Sequence, residues 1–297
     1  VNPFNIITWS GVLDVSPSKD TWTVAIDERR QVWGHGRTRV LTSSQGSQFI
    51  RSRNINFSAA RLKPNTRFKL LFDKRDLSSN TLASSSFPKL IEISNNVGSF
   101  KIGETVNCFD NSGSVVGSFR ICSPNHKTGP IDSPSTKFTQ NPYNPSVGIS
   151  SDYGPQSTFL NIDTESLSRN DISGFWGKIA TGNTLIGSTS KANATVSDIR
   201  LITDSEGVLL GSVWVNQEDK FAVGKSLVEL SLNTPSQKVS GEVADSNAST
   251  TFTSSGNEIV TTTITYSDPL AQTFLVEDEN GIIPTSVDVY FYSKDST

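Results

Sequence analysis

Polar and apolar residues alternate along much of this chain with a period of two. The run Arg53-Asn54-Ile55-Asn56-Phe57-Ser58-Ala59 sets Ile55 and Phe57 on one face. Arg67-Phe68-Lys69-Leu70-Leu71-Phe72 does the same for Phe68, Leu70 and Phe72. Period two is the signature of a half-buried strand, because successive side chains of extended backbone point to opposite faces. Between these runs lies Leu62-Lys63-Pro64-Asn65-Thr66, whose proline cannot donate to a ladder and so marks a strand-to-strand connection. The rhythm returns at Ile259 to Tyr266 and at Ser286 to Tyr292. Helical spacing is nearly absent, and Thr164-Glu165-Ser166-Leu167 predicts one or two turns of helix.

A turn motif repeats. Asp110-Asn111-Ser112-Gly113 and Asp204-Ser205-Glu206-Gly207 share one form, each followed by a strand-like run with a second glycine, and Asp278-Glu279-Asn280-Gly281 is a looser copy. Aspartate bonds forward to backbone amides and glycine supplies a positive φ, so Asp110, Gly113, Asp204, Gly207, Asp278 and Gly281 are expected in hairpin turns. A Ca²⁺ loop needs carboxylates at alternate positions, and these loops carry too few. Gly182-Asn183-Thr184-Leu185-Ile186-Gly187 lacks the lysine and helix of a phosphate-binding loop and reads as a strand bend.

Two irregular stretches punctuate the chain. Residues 123–155 are rich in Pro and Gly and read as an extended connector; 233–257 are rich in Ser, Thr, Asn and Gly and read as a loosely packed surface segment. The expected organisation is a basic β domain at 1–122, that connector, a second β domain at 156–232, the Ser/Thr-rich segment, and the start of a further β element at 258–297. The fold class is all-β: tandem small sandwiches or barrels with extended connectors and little helix.

Composition sharpens this. Of 297 residues only 19% are charged, while Ser and Thr supply about a quarter, so the surface is kept polar by hydroxyls more than by ions. Sixteen Phe and five Trp exclude a disordered chain, and no apolar run approaches the length of a membrane span. The absence of methionine, at residue 1 as elsewhere, predicts a processed or excised piece of a longer protein.

The net charge of −3 is unevenly spread. Arg29 to Arg75 carries twelve basic residues, among them Arg51, Arg53, Arg61 and Arg67, whereas the chain beyond Gly241 is acidic, with Glu277, Asp278 and Glu279 adjacent. Solvated strand faces are the plain reading. The sharper one is that the basic region of one copy meets the acidic region of a neighbour, with these seven residues as inter-subunit contacts. No nucleic acid is expected as partner, since the basic region has no RNA-binding signature.

Candidate chemistry is sparse. His35 and His126 are the only histidines, and neither HExxH, paired CxxC nor a Gly-x-Ser-x-Gly elbow occurs. No catalytic, cofactor-binding or metal-binding residue is therefore assigned. His126 reads as a surface or turn residue of the connector. Cys108 and Cys122 flank the Asp110 turn, but a hairpin centred there sets Cys108 opposite Val115, which disfavours a direct bridge. Trp9, Trp22, Trp33, Trp176 and Trp214 are mostly expected in the core. A pair of carboxylates for glycoside hydrolysis stays open, since spacing in a β-rich chain cannot exclude it.

Several segments resemble a family. Val1-Asn2-Pro3-Phe4, Trp9-Ser10-Gly11 and Ser16-Pro17-Ser18-Lys19-Asp20-Thr21-Trp22 are similar to large tail-associated structural proteins of tailed bacteriophages, in the form found in T4-like cyanophages. The likeness continues at Ile50 to Phe57, Leu62 to Arg67, Asn125-His126-Lys127-Thr128-Gly129-Pro130, Leu201 to Asp204 and Asp268 to Phe274, in order along the chain. The resemblance implies a tail, baseplate or fibre component of the virion, assembled in the host cytoplasm. Its implied partners are other tail or baseplate proteins and further copies of itself, as a homo-oligomer such as a trimer. Two alternatives accompany it: a receptor- or carbohydrate-binding adhesin that meets host surface glycan, and a tail-associated polysaccharide-degrading enzyme.

Overall fold

A computed structural model of the chain describes residues 6–34, 36–78, 81–232 and 243–267, with the single positions 277, 281 and 286. The fold is all-β. Among the described residues the helices are two short α turns, Thr164–Ser168 and Asn170–Ser173, and one 3-10 turn at Gln217–Asp219. The helix expected after Thr164 is present, and the Asp163 side chain caps it by accepting from the Ser166 amide.

The chain divides into two units, Val1–Val24 with Ser44–Glu258, and Ala25–Ser43 with Ile259–Thr297. In the first unit, a four-stranded sheet runs Val12–Ser16, Arg53–Ala60, Leu209–Val215, Ser85–Pro88, antiparallel throughout. It faces strands Phe68–Phe72, Gly224–Leu232 and the first half of Val243–Ser267, which pair antiparallel in that order. Ile55 and Phe57 from one layer and Phe68, Leu70 and Phe72 from the other are all buried in one cluster, as the period-two pattern predicts. Phe72 meets Phe221 edge-to-face with ring centroids 4.9 Å apart. A second core lies on a seven-stranded antiparallel sheet whose central strands are Leu90–Val97, Asn193–Asp198, Thr184–Gly187 and Thr105–Phe109.

Composition punctuates the chain, but strand pairing crosses those marks. Strand Arg53–Ala60 of the 1–122 segment pairs with Leu209–Val215 of the 156–232 segment, and Phe68–Phe72 pairs with Gly224–Leu232. The 123–155 segment carries two small ladders, His126–Thr128 with Thr136–Lys137 and Gln140–Asn141 with Asn144–Gly148, and packs Phe138 into a small core with Leu90 and Phe159. From Val243 onward the Ser/Thr-rich segment is strand, not loose surface. Its Ala248, Phe252 and Ser254 are buried on alternate positions, since hydroxyl side chains suit a pleated, half-buried surface. The Ser286–Tyr292 run lies outside the described residues except for Ser286.

The described part of the second unit is a three-stranded ribbon. The distal half of the 243–267 strand pairs with both Lys19–Trp33 and Thr38–Gly46. Near its end, Tyr266 N–H donates to Arg37 O and Ser267 O accepts from Gly34 N–H, so neighbours occupy both of its sides.

Close packing within the four-stranded sheet is tested at Gly211, where an added Cβ would lie 2.4 Å from both the Phe57 ring and Phe87 O on the flanking strands. Gly211→Ala is expected to lower stability by about 1–3 kcal/mol, read from a shifted urea midpoint at unchanged slope.

Candidate functional site

The basic residues singled out from sequence divide by burial. Asp20 and Arg53 are both 3% exposed. The Arg53 guanidinium donates through Nη1 to Asp20 Oδ1 and through Nη2 to Ser168 O at 2.9 Å. Arg51 grips the same carboxylate from its more exposed side, at 3.0 Å through Nε and 2.8 Å through Nη2, and reaches Asp171 at 2.7 Å. Hydrogen bonding to Asp20 holds Arg51 above its ordinary pKa, whereas burial pulls Arg53 below its own. Arg51 and Arg53 therefore tie the N-terminal segment to the core. Arg61 and Arg67 stay on the surface, and Arg61 adopts a positive φ of 61°. Glu277 is exposed; Asp278 and Glu279 lie outside the described residues.

The two complete turn motifs share one geometry. Asp110 Oδ1 accepts from the Ser112 and Ser114 amides, both at 2.9 Å, and Asp204 Oδ1 from the Glu206 and Val208 amides at 3.0 and 2.9 Å. Gly113 and Gly207 have φ of 83° and 71°. Gly281 has φ of 71°, and its motif partner Asp278 lies outside the described residues. Lys127 clamps the second turn, its Nζ lying 2.6 Å from both Asp204 and Glu206. Among the described residues no three His, Cys, Asp or Glu side chains gather as a metal site.

Cys108 and Cys122 are free and buried. The hairpin register differs from the expected one: Phe109 stands opposite Val115 and Cys108 opposite Gly117, because a bulge falls between Cys108 and Phe109. The tryptophans also depart from expectation. Only Trp22 is fully buried; Trp9 is half-buried, Trp176 and Trp214 pair with centroids 6.0 Å apart, and Trp33 is 77% exposed.

Two regions stand out once these side chains are placed. The first is the ribbon. Every residue of Thr38–Gly46 is exposed, and from Ala25 to Trp33 only Ile26 is partly covered. Exposed Val32, Trp33, Val40, Leu41 and Ile259 accompany Asp27, Glu28, Arg29, Arg30, Arg37 and Arg39 on it. Neighbouring Val40 and Leu41 point to opposite faces, so neither face of the ribbon is covered there. Internal contacts are few: Arg37 lies over the Tyr266 ring at 5.6 Å, and Thr262 donates to Glu28 at 3.2 Å.

The second region is a cleft of about 610 Å³ in the first unit. Lys89, Arg120, His126 and Asp163 form part of its wall. Arg120 directs Nε and Nη2 at Asp163 Oδ2, at 2.8 and 2.6 Å. His126, expected as a surface or turn residue, opens the first small ladder and is buried, with Nε2 2.9 Å from Gly129 O. Burial, and then the charge of Lys89, hold its pKa below the ordinary 6.5, against the smaller opposing effects of Asp163 and Glu165. No motif or spacing singles out Lys89. It sits at the junction of strands Ser85–Pro88 and Leu90–Val97, and only the convergence of two sheets buries it.

Compared with protein-family models, with characterised proteins and with solved structures, the chain matches none.

Two outcomes follow from the buried charges. Asp20→Ala leaves Arg53 buried without its partner and is expected to cost about 3–5 kcal/mol in urea unfolding, with Arg51→Ala costing less. For His126, the unfolded chain takes a proton at the ordinary 6.5 while the folded chain takes it only at lower pH. Stability should therefore be constant above that value and fall as pH drops below it, and His126→Gln should flatten this part of the stability–pH curve.

Proposed function

We propose that this chain is a structural subunit of a phage tail appendage, without catalytic work of its own, which assembles with further copies of itself through the ribbon of Ala25–Ser43 and Ile259–Ser267. One observation carries the reading: a three-stranded ribbon with both faces open and apolar side chains on them. Such a ribbon lacks the covered hydrophobic face that small sheets need for stability in water. Among the described residues it also offers unpaired strand edges along Lys19–Trp33 and Thr38–Gly46, a template for pairing with another chain.

A second copy fits this surface better than a partner of one charge. Acidic Asp27 and Glu28 adjoin basic Arg29 and Arg30 on one strand, with Arg29 and Asp27 only 3.8 Å apart and both well exposed. A strand that carries both signs can meet its own symmetry mate with opposite charges facing. The sequence resemblance to tail structural proteins supports placing this assembly in a virion tail.

Sedimentation velocity over a concentration series tests the reading. The wild-type chain should sediment as an oligomer, and Val40→Lys with Leu41→Lys should weaken association by about tenfold per buried side chain lost, with melting of the first unit unchanged. A monomer at all concentrations, or an oligomer indifferent to the double substitution, would contradict it.

A further inference from the structure

The cleft holds a buried cation with no opposing charge. Lys89 is 3% exposed and makes no ion pair among the described residues. Its Nζ donates to Ile162 O at 2.8 Å and lies 3.7 Å from Cys122 Sγ, which leaves one N–H free. Cys122 supplies no charge at neutral pH, since burial pushes its thiol up to about 11. Asp163, on the same wall, is already engaged by Arg120 through Oδ2, and no acceptor among the described residues takes Arg120 Nη1. Lys127, on the same wall, is taken by Asp204 and Glu206. Asp132 and Glu165 stand on the exposed rim, where water and salt screen them. A buried ammonium without a counter-charge is expensive, and an anion seated in the cleft would offset that cost.

The same wall carries acceptors without donors. With the Nε2 proton given to Gly129 O, His126 Nδ1 is an acceptor, and it is buried without a partner. Asn56 Oδ1, also on the cleft wall, is likewise unpartnered. Buried polar groups in native folds are otherwise satisfied, so these mark where a ligand hydroxyl or bridging water belongs. Donors for an oxyanion and acceptors for hydroxyls thus line one cleft. We propose that the cleft binds an acidic saccharide residue, its carboxylate on Lys89 and Arg120 and its hydroxyls toward Asn56 and His126. A volume of about 610 Å³ suits a ligand of that size. The proposal stands independently of the assembly reading, since every residue it uses belongs to the first unit.

Isothermal titration of the whole chain with D-glucuronate, D-glucose and inorganic phosphate tests it. Glucuronate should bind saturably, and glucose and phosphate each at least tenfold more weakly. Lys89→Met should lower glucuronate affinity at least tenfold. Arg120→Gln, at a half-exposed position, should do so severalfold, with circular dichroism checking that both variants fold. No saturable glucuronate binding, or affinity unchanged in a folded Arg120→Gln chain, overturns the site. Phosphate binding as tightly as glucuronate overturns the saccharide class.

Discussion

A strand of 25 residues needs more support than a hydrogen-bond ladder, and Val243–Ser267 has two kinds of surroundings along its length. Its first half places Ala248 and Phe252 in the core with Phe72 and Leu230, and alternates buried with exposed positions. Past Glu258 the ladder continues between two further strands while the core does not. The backbone is satisfied on both sides there, but most side chains of this strand are only partly covered and none is buried. That imbalance, a well-made ladder without a packed face, is the constraint from which the assembly reading grows.

Buried charge is the other organising feature, and the molecule treats it in two ways. Around Asp20 the account is closed: two carboxylates, two guanidiniums and a backbone carbonyl satisfy one another, so the cluster fixes the N-terminal segment without inviting a ligand. Around Lys89 it is open, with a buried ammonium, a half-used guanidinium and two orphan acceptors on one cleft wall. The first arrangement is structural; the second is what a polar ligand completes.

Local features were readable from the residues themselves. Period two sets the inward faces of the 53–60 and 68–72 strands, and Thr164-Glu165-Ser166-Leu167 marks the short helix. Long-range features were not. Nothing in the composition says that Arg53–Ala60 pairs with Leu209–Val215, because ladders join residues by backbone atoms that every sequence shares. For the same reason Arg51 and Arg53 read as surface charge. Their carboxylate, Asp20, lies more than thirty residues away in sequence, and only the fold brings it within hydrogen-bonding reach. His126 reads as a surface or turn residue, since a Pro/Gly-rich segment gives no sign that it will form small ladders with buried positions.

Amide hydrogen exchange, followed as the chain is concentrated, probes the ribbon most directly. If a second copy pairs with it, amides of Ala25–Trp33 and Thr38–Ser43 on the outer edges gain protection as concentration rises, while those of the buried 68–72 strand are protected throughout. Edge amides that exchange at one rate from dilute to concentrated solution would contradict assembly through the ribbon.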